Sequence, residues 1–287
     1  MSTIFSFGNS LVSAPGGGAL AGRNSVPPGP TPPTPDPYNP LGLPAYTMRF
    51  RFGQSDFNPN NVTEKSWPND AIWTQVSESP NIWDFNYANP VWYGVGVTGG
   101  YYSIFYSLTE STHLYTVQGA NTTGVTSMEC LFEYGYLYSI TNVFDTSTVR
   151  NTADMFAGSQ YYNGTLPMFD FSNSETISGM FQHSTFEYIP DYDFSSARGM
   201  LTYLCDYCKS LKRVPDFTLT VNNFTLADAV FRQCLNVESG ALAMYNKLSV
   251  STSITSHDWT FGGCGSDTTT GAAELAQIPA SWGGTGA

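Results

Sequence analysis

The sequence predicts a mainly β protein with short helices. An extended N-terminal arm leads to a small antiparallel β domain, then to a solenoid closed by a C-terminal helical cap. Three observations carry that prediction. A phrase recurs about every 24 residues through the second half, the mark of units that bury their apolar faces against their neighbours. A stretch of alternating apolar and polar residues precedes it. Charged residues are only 12% of the 287 while aromatics reach 15%, a composition suited to strands, tight turns and hydroxyl-rich surfaces.

Residues 1–26 carry a single charge, Arg23, and offer Ile4, Phe5, Phe7 and Leu11 as apolar handles, so this arm reads either as a disordered tail or as a docking peptide. Residues 27–44 hold Pro27, Pro28, Pro30, Pro32, Pro33, Pro35, Pro37, Pro40 and Pro44, a density that favours extended polyproline II and a semi-rigid linker. Residues 45–115 read as the antiparallel β domain. Tyr46, Met48, Phe50 and Phe52 alternate with Thr47, Arg49 and Arg51, the period of a half-buried strand. Further strands are expected at 71–76, 82–87, 91–97 and 101–108, and this sheet is placed to seal the first coil of the solenoid.

Residues 116–267 hold the repeat. An acid or amide is followed two positions on by a hydroxyl residue and eleven positions on by a bulky apolar residue. Asn121, Asp145, Asp170 and Asp193 lead in this way to Phe132, Phe156, Phe181 and Leu204, and a longer fifth copy runs from Asp216 to Phe231. Val149, Thr152, Ala153 and Phe156, like Ala197, Met200, Leu201 and Leu204, fall at helical spacing, and Ser147, Ser172 and Ser195 stand where N-caps belong. Each unit then ends in a short extended piece before Pro167, Pro190 or Pro215. A short helix, a turn and a brief strand make a leucine-rich-repeat-like coil. Helices at about 239–248 and 271–278 are expected to cover the far end, residues 268–287 forming the cap and tail.

The phrases Asp145-Thr-Ser-Thr-Val149, Asp154-Met-Phe156 and Cys208-Lys-Ser-Leu-Lys-Arg-Val-Pro215 resemble the BspA-type repeats of bacterial surface proteins. The ending, Phe231-Arg-Gln-Cys234 through Ser239-Gly-Ala-Leu-Ala243 and Gly271-Ala-Ala-Glu-Leu-Ala-Gln-Ile-Pro279, resembles a closing segment of virion proteins of tailed phages that infect gut bacteria. The first resemblance implies adhesion and brings no catalytic residues. Its bacterial members are secreted, whereas residues 1–21 here show no basic and apolar leader pattern. A virion assembled in the host cytoplasm reconciles the two. The expectation is therefore a bacteriophage fibre or capsid decoration protein, a closed homo-oligomer such as a trimer. Its arm would hold other virion proteins and its repeat surface would meet a host glycan or protein. A bacterial cell-surface adhesin is the alternative, and a fibre-borne depolymerase a third reading.

Charge narrows the partners. Eleven Lys and Arg against 23 Asp and Glu, a net −12, supply no basic stripe for nucleic acid, and no apolar run is long enough to cross a membrane. Five cysteines, an odd number spread through the chain, point to free thiols and not a disulfide framework. Gly94-Val-Gly-Val-Thr-Gly99 has the dinucleotide spacing but leads into a strand-like segment where a helix is required, so it reads as a turn. Cys205-Asp-Tyr-Cys208 is half of a zinc site, and buried cysteine filling a crowded turn is the simpler account. The ladder of Asp145, Asp170, Asp193 and Asp216 gives one carboxylate per coil, too few for calcium but right for Asx-turns. No cofactor, metal or catalytic constellation is expected from His113, His183 and His257. The candidate partner surface is aromatic: Tyr134, Tyr136, Tyr138, Tyr161, Tyr162, Phe186, Tyr188, Tyr203 and Tyr207, expected to stack in part along one face.

Overall fold

Alternation in residues 47–52 buries Met48, Phe50 and Phe52 and leaves Arg51 outside. In the computed structural model, which describes residues 36–62, 66–92, 105, 115–161 and 166–286, this segment is β1 (Thr47–Phe52). It pairs antiparallel with β3 (Asn81–Asn86), and β3 with β2 (Ile72–Glu78). These are the strands expected at 46–52, 71–76 and 82–87. Arg49 reaches across to Asp84 with two hydrogen bonds, 2.6 and 2.8 Å. The docking residues Ile4, Phe5, Phe7 and Leu11, the first half (27–35) of the proline-rich stretch, the glycine string 94–99 and most of the two further expected strands lie outside the described residues.

β1 also pairs antiparallel with β4 (Tyr115–Asn121), and there the sheet changes character. β4, β5 (Tyr136–Ile140) and β6 (Gln160–Tyr161) run parallel, giving one six-stranded sheet in the order β2-β3-β1-β4-β5-β6. Parallel neighbours continue as short pairs, β7 (Asp193–Phe194) with β9 (Thr218–Leu219) and β8 (Gly199–Met200) with β10 (Phe224–Leu226). Single parallel bridges join Val91 to Ser127, Ser127 to Asn151 and Asn151 to Thr176. Each copy of the repeat thus lies beside the next as a rung.

The expected short helices within the repeat do not form. Their place is taken by overlapping four-residue turns. Leu131 donates to the Met128 carbonyl, Glu133 to Cys130 and Gly135 to Phe132. Such turns bring side chains back every three to four positions, as a helix does, so apolar spacing cannot tell them apart. Hydrogen bonding can. The Met128, Cys130, Phe132 and Tyr134 amides leave their own segment and donate to the carbonyls of Asn151, Ala153, Met155 and Ala157 on the next rung. The same strip recurs from Thr152, Asp154, Phe156 and Gly158 to Thr176, Ser178, Met180 and Gln182. A helix would have kept those amides for itself.

With no helix to start, the serines cap nothing. Ser147, Ser172 and Ser195 instead donate their own amides, at 2.8, 3.0 and 2.8 Å, to the carboxylates of Asp145, Asp170 and Asp193. These are Asx-turns, and Asn121 makes the same one with Thr123. Two register details differ from the sequence reading. Thr218, not Asp216, pairs with Asp193. Cys205, not Leu204, occupies the landmark position, because its amide donates to Val230 as that of Phe181 does to Leu204.

The landmarks form the core. Phe132 and Phe156 stack with centroids 5.5 Å apart, and Phe156 and Phe181 at 5.9 Å and 3°. Small Cys205 interrupts the column, and Phe181 faces Tyr192 and Phe217 instead. Phe231 and Phe261 resume it at 5.8 Å. Beside it runs a file of small residues. Gly135 clears room for the Tyr115 hydroxyl, which would lie 2.5 Å from any Cβ there. Ser159, Cys208 and Cys234 donate to the carbonyls of Phe132, Phe181 and Cys205 on the preceding rung. At the far end stand the two expected helices, α1 (Ala241–Leu248) and α2 (Thr269–Leu275). Mainly β structure with short helices is thus observed, the α-helices being confined to that end among the described residues.

Candidate functional site

The turn strip has an unusual backbone. In each unit the third residue of the first and of the last turn has positive φ, the type II requirement that favours glycine or asparagine. Glycine stands at only some of these places: Gly158, Gly179 and Gly263. Elsewhere the residues are Cys130 and Tyr134, Asp154, His183, Tyr203 and Tyr207, Ala229 and Gln233, and Trp259, all with φ between 53 and 60°. A side chain in this region costs about 1 kcal/mol or more. The strip therefore projects bulky groups outward from strained corners, on successive rungs.

Cys130 and Ala229 are buried, 6% and 3% exposed, but the aromatic and imidazole corners reach the surface. Trp259 is 66% exposed, Tyr203 42% and Tyr134 39%, with His183 also exposed and Tyr207 half-buried. Tyr134 leans over Gly158, where a Cβ would sit 2.5 Å from its ring. His183 stacks on Tyr207 at 4.9 Å and 14°. On the next rung the Arg232 guanidinium lies 5.2 Å from the Tyr207 ring centre and 5.9 Å from that of Tyr203, while the Lys209 Nζ lies 5.6 Å from Tyr207, within the range of a cation over an aromatic face.

The cluster is fixed from beneath. Asp206 is fully buried, and its carboxylate accepts from Arg232 Nε and Nη2, both at 2.9 Å, and from Gln182 Nε2 at 3.2 Å. The fork-to-fork geometry sets the guanidinium plane, and the carboxylate holds the Arg232 pKa above its ordinary value. Three neighbouring rungs thus contribute Gln182 and His183, Tyr203 through Lys209, and Arg232.

Among the residues predicted from sequence, Tyr134, Tyr203 and Tyr207 belong to these corners. Tyr138 and Tyr188 are exposed on other segments, at 44% and 50%, and Tyr136 is half-buried in β5. Tyr161 lies in β6, and Tyr162 falls outside the described residues. Phe186 is a correction. It is 1% exposed and packs edge-on against Phe156 and Phe181, because the segment after the last turn directs it inward to the phenylalanine column. Sequence reasoning missed His183, Gln182, Asp206, Lys209, Arg232 and Trp259. The available signal was the alignment of corners, which sets His183 over Tyr207.

The cysteines lie in the interior. All five are buried free thiols, and burial pushes the thiols of Cys205, Cys234 and Cys264 up, opposite to what nucleophiles and metal ligands need. Among the described residues no group of three His, Cys, Asp or Glu is placed to hold a metal ion.

Residues 101–215 match a family model described as "Mycoplasma protein of unknown function, DUF285". The matched stretch takes in the rungs built around Phe132, Phe156 and Phe181, and it supports a BspA-like repeat surface protein. No curated protein and no solved structure matches the chain.

Proposed function

We propose that this chain is a non-enzymatic attachment protein: a leucine-rich-repeat-like solenoid that holds a host-surface glycan or protein on its turn strip, carried on a tailed-phage virion as a fibre or decoration subunit. One observation supports the attachment role above the rest. Large aromatic and imidazole groups occupy exposed left-handed corners where glycine would give a more stable backbone. Strain kept at a surface position marks a site under selection for contact. Weak single contacts suffice when many copies act together. The virion placement rests on the resemblance of residues 231–243 and 271–279 to phage closing segments, with residues 1–26 as the docking arm on the virion. The match of residues 101–215 favours a second carrier, a bacterial cell surface.

The attachment role is tested with Tyr203→Gly and Trp259→Gly in the full chain. Both should melt at or above the parent temperature, since glycine suits these corners, yet adhere less to gut bacterial cells. Undiminished adherence of both variants would overturn the reading. Immunogold labelling separates the carriers: label on phage particles supports the virion, and label confined to cell envelopes supports the adhesin.

A further inference from the structure

We infer that the cluster of Gln182, His183, Tyr203, Tyr207, Lys209 and Arg232 is a binding site for an acidic saccharide, a pyranose carrying a carboxylate. The inference rests on the attachment reading above and names the ligand class for one part of that surface.

Charge is the first argument. The chain bears 23 acids against 11 Lys and Arg, and several of its basic groups are neutralised by acids. Arg49, Arg198, Arg213 and Lys247 pair with Asp84, Glu175, Asp191 and Asp216. Lys209 makes no such pair among the described residues. It stands beside Arg232, and the one carboxylate below them, Asp206, is buried and fully engaged. The neighbouring acid on the next rung, Asp228, is turned away, accepting from the Ser256 hydroxyl and the Asp258 amide. A locally cationic patch attracts the anions that the rest of this acidic surface repels.

Ring geometry is the second. Tyr207 has His183 stacked on it and both cations within 6 Å of its centre, so it serves as the post that positions the donors. Tyr203 is more open, 42% exposed, and its flat face beside Arg232 suits the apolar face of a sugar ring. A pyranose on Tyr203 would bring a ring carboxylate toward Lys209 and the free edge of Arg232, and its hydroxyls toward His183 and Gln182. Neither a plain anion nor a neutral sugar uses both halves of the site.

The test is calorimetry on the full chain with a galacturonic acid hexamer, its carboxyl-reduced neutral counterpart and a glutamate hexapeptide. The uronate should bind at least about tenfold more tightly than either control. Lys209→Ala should weaken uronate binding about tenfold. Lys212→Ala should not, because that residue lies on a separate segment between the Glu187 and Glu238 rungs. Equal binding of the reduced sugar removes the acidic requirement, equal binding of the peptide removes the sugar, and an unaffected Lys209→Ala removes the site; any of these overturns the inference. Failure of the uronate to bind also overturns it, and cell adherence then separates the two claims. A chain that still adheres keeps the attachment role with another ligand, whereas one that does not loses both.

Discussion

Asp154 shows what a single corner residue can cost. Its left-handed backbone sets the carboxylate over Gly179, where a Cβ would fall 2.0 Å from Oδ1. Burial, and then the charge of Glu129, raise its pKa from 3.8 to about 6. The folded chain holds this proton more tightly than the unfolded chain does, so stability falls as pH rises through the interval between those values and is flat above it. Asp154→Asn removes the penalty and suits the left-handed backbone. The variant should be more stable than the parent by about 1–2 kcal/mol at pH 7, partial exposure having been allowed for. That gain should vanish near pH 3, as urea melts at the two pH values would show. None of this was legible beforehand. Asp154 reads as one polar residue between apolar neighbours, and its strain depends on a rung contributed by Gly179.

At the scale of elements, β1 to β3 and the terminal helices were legible, whereas β4 and the turn strip were not. β1 declared itself by strict alternation, and α1 and α2 by helical spacing. The strip shares that spacing, and only the destination of its amides, the next rung, distinguishes it. The Cys205 register slipped for a related reason. Leu204 is apolar and buried, so hydrophobicity alone favoured it, whereas the ladder counts backbone bonds. Capping of α1 is likewise a tertiary event. Gly240 precedes it with no side chain to offer, and Glu274 of α2 accepts from the Gly240 and Leu242 amides at 3.3 and 3.0 Å. Glu274→Ala should cost about 1 kcal/mol in chemical denaturation, and Glu274→Gln less, since the amide oxygen still accepts.

Across the whole molecule, rungs that touch only their neighbours need covered ends. The antiparallel strands β1 to β3 continue the sheet at one end. At the other, the Trp282 carbonyl receives the Phe261 amide, and Leu275, Ile278 and Trp282 join the buried core. A chain ending at Ser266 should therefore elute as aggregates in size exclusion, with Phe261 laid open. The exposed aromatic positions were half legible for the same architectural reason: the tyrosines announced themselves, but which of them face out was decided by stacking. The one-way amide strip has a last consequence. Along it alternate amides, those of Met128, Cys130, Phe132 and Tyr134 among them, aim toward the later rung and their accepting carbonyls toward the earlier, while beside the strip the Arg150, Glu175 and Arg198 amides donate back to earlier rungs. The dipoles of the strip itself add as they do along a helix, with the sense reversed. Those aligned amides place partial positive charge at the C-terminal end of the strip and partial negative at its N-terminal end, offset in part by the returning amides beside them, in a protein whose side chains sum to −12.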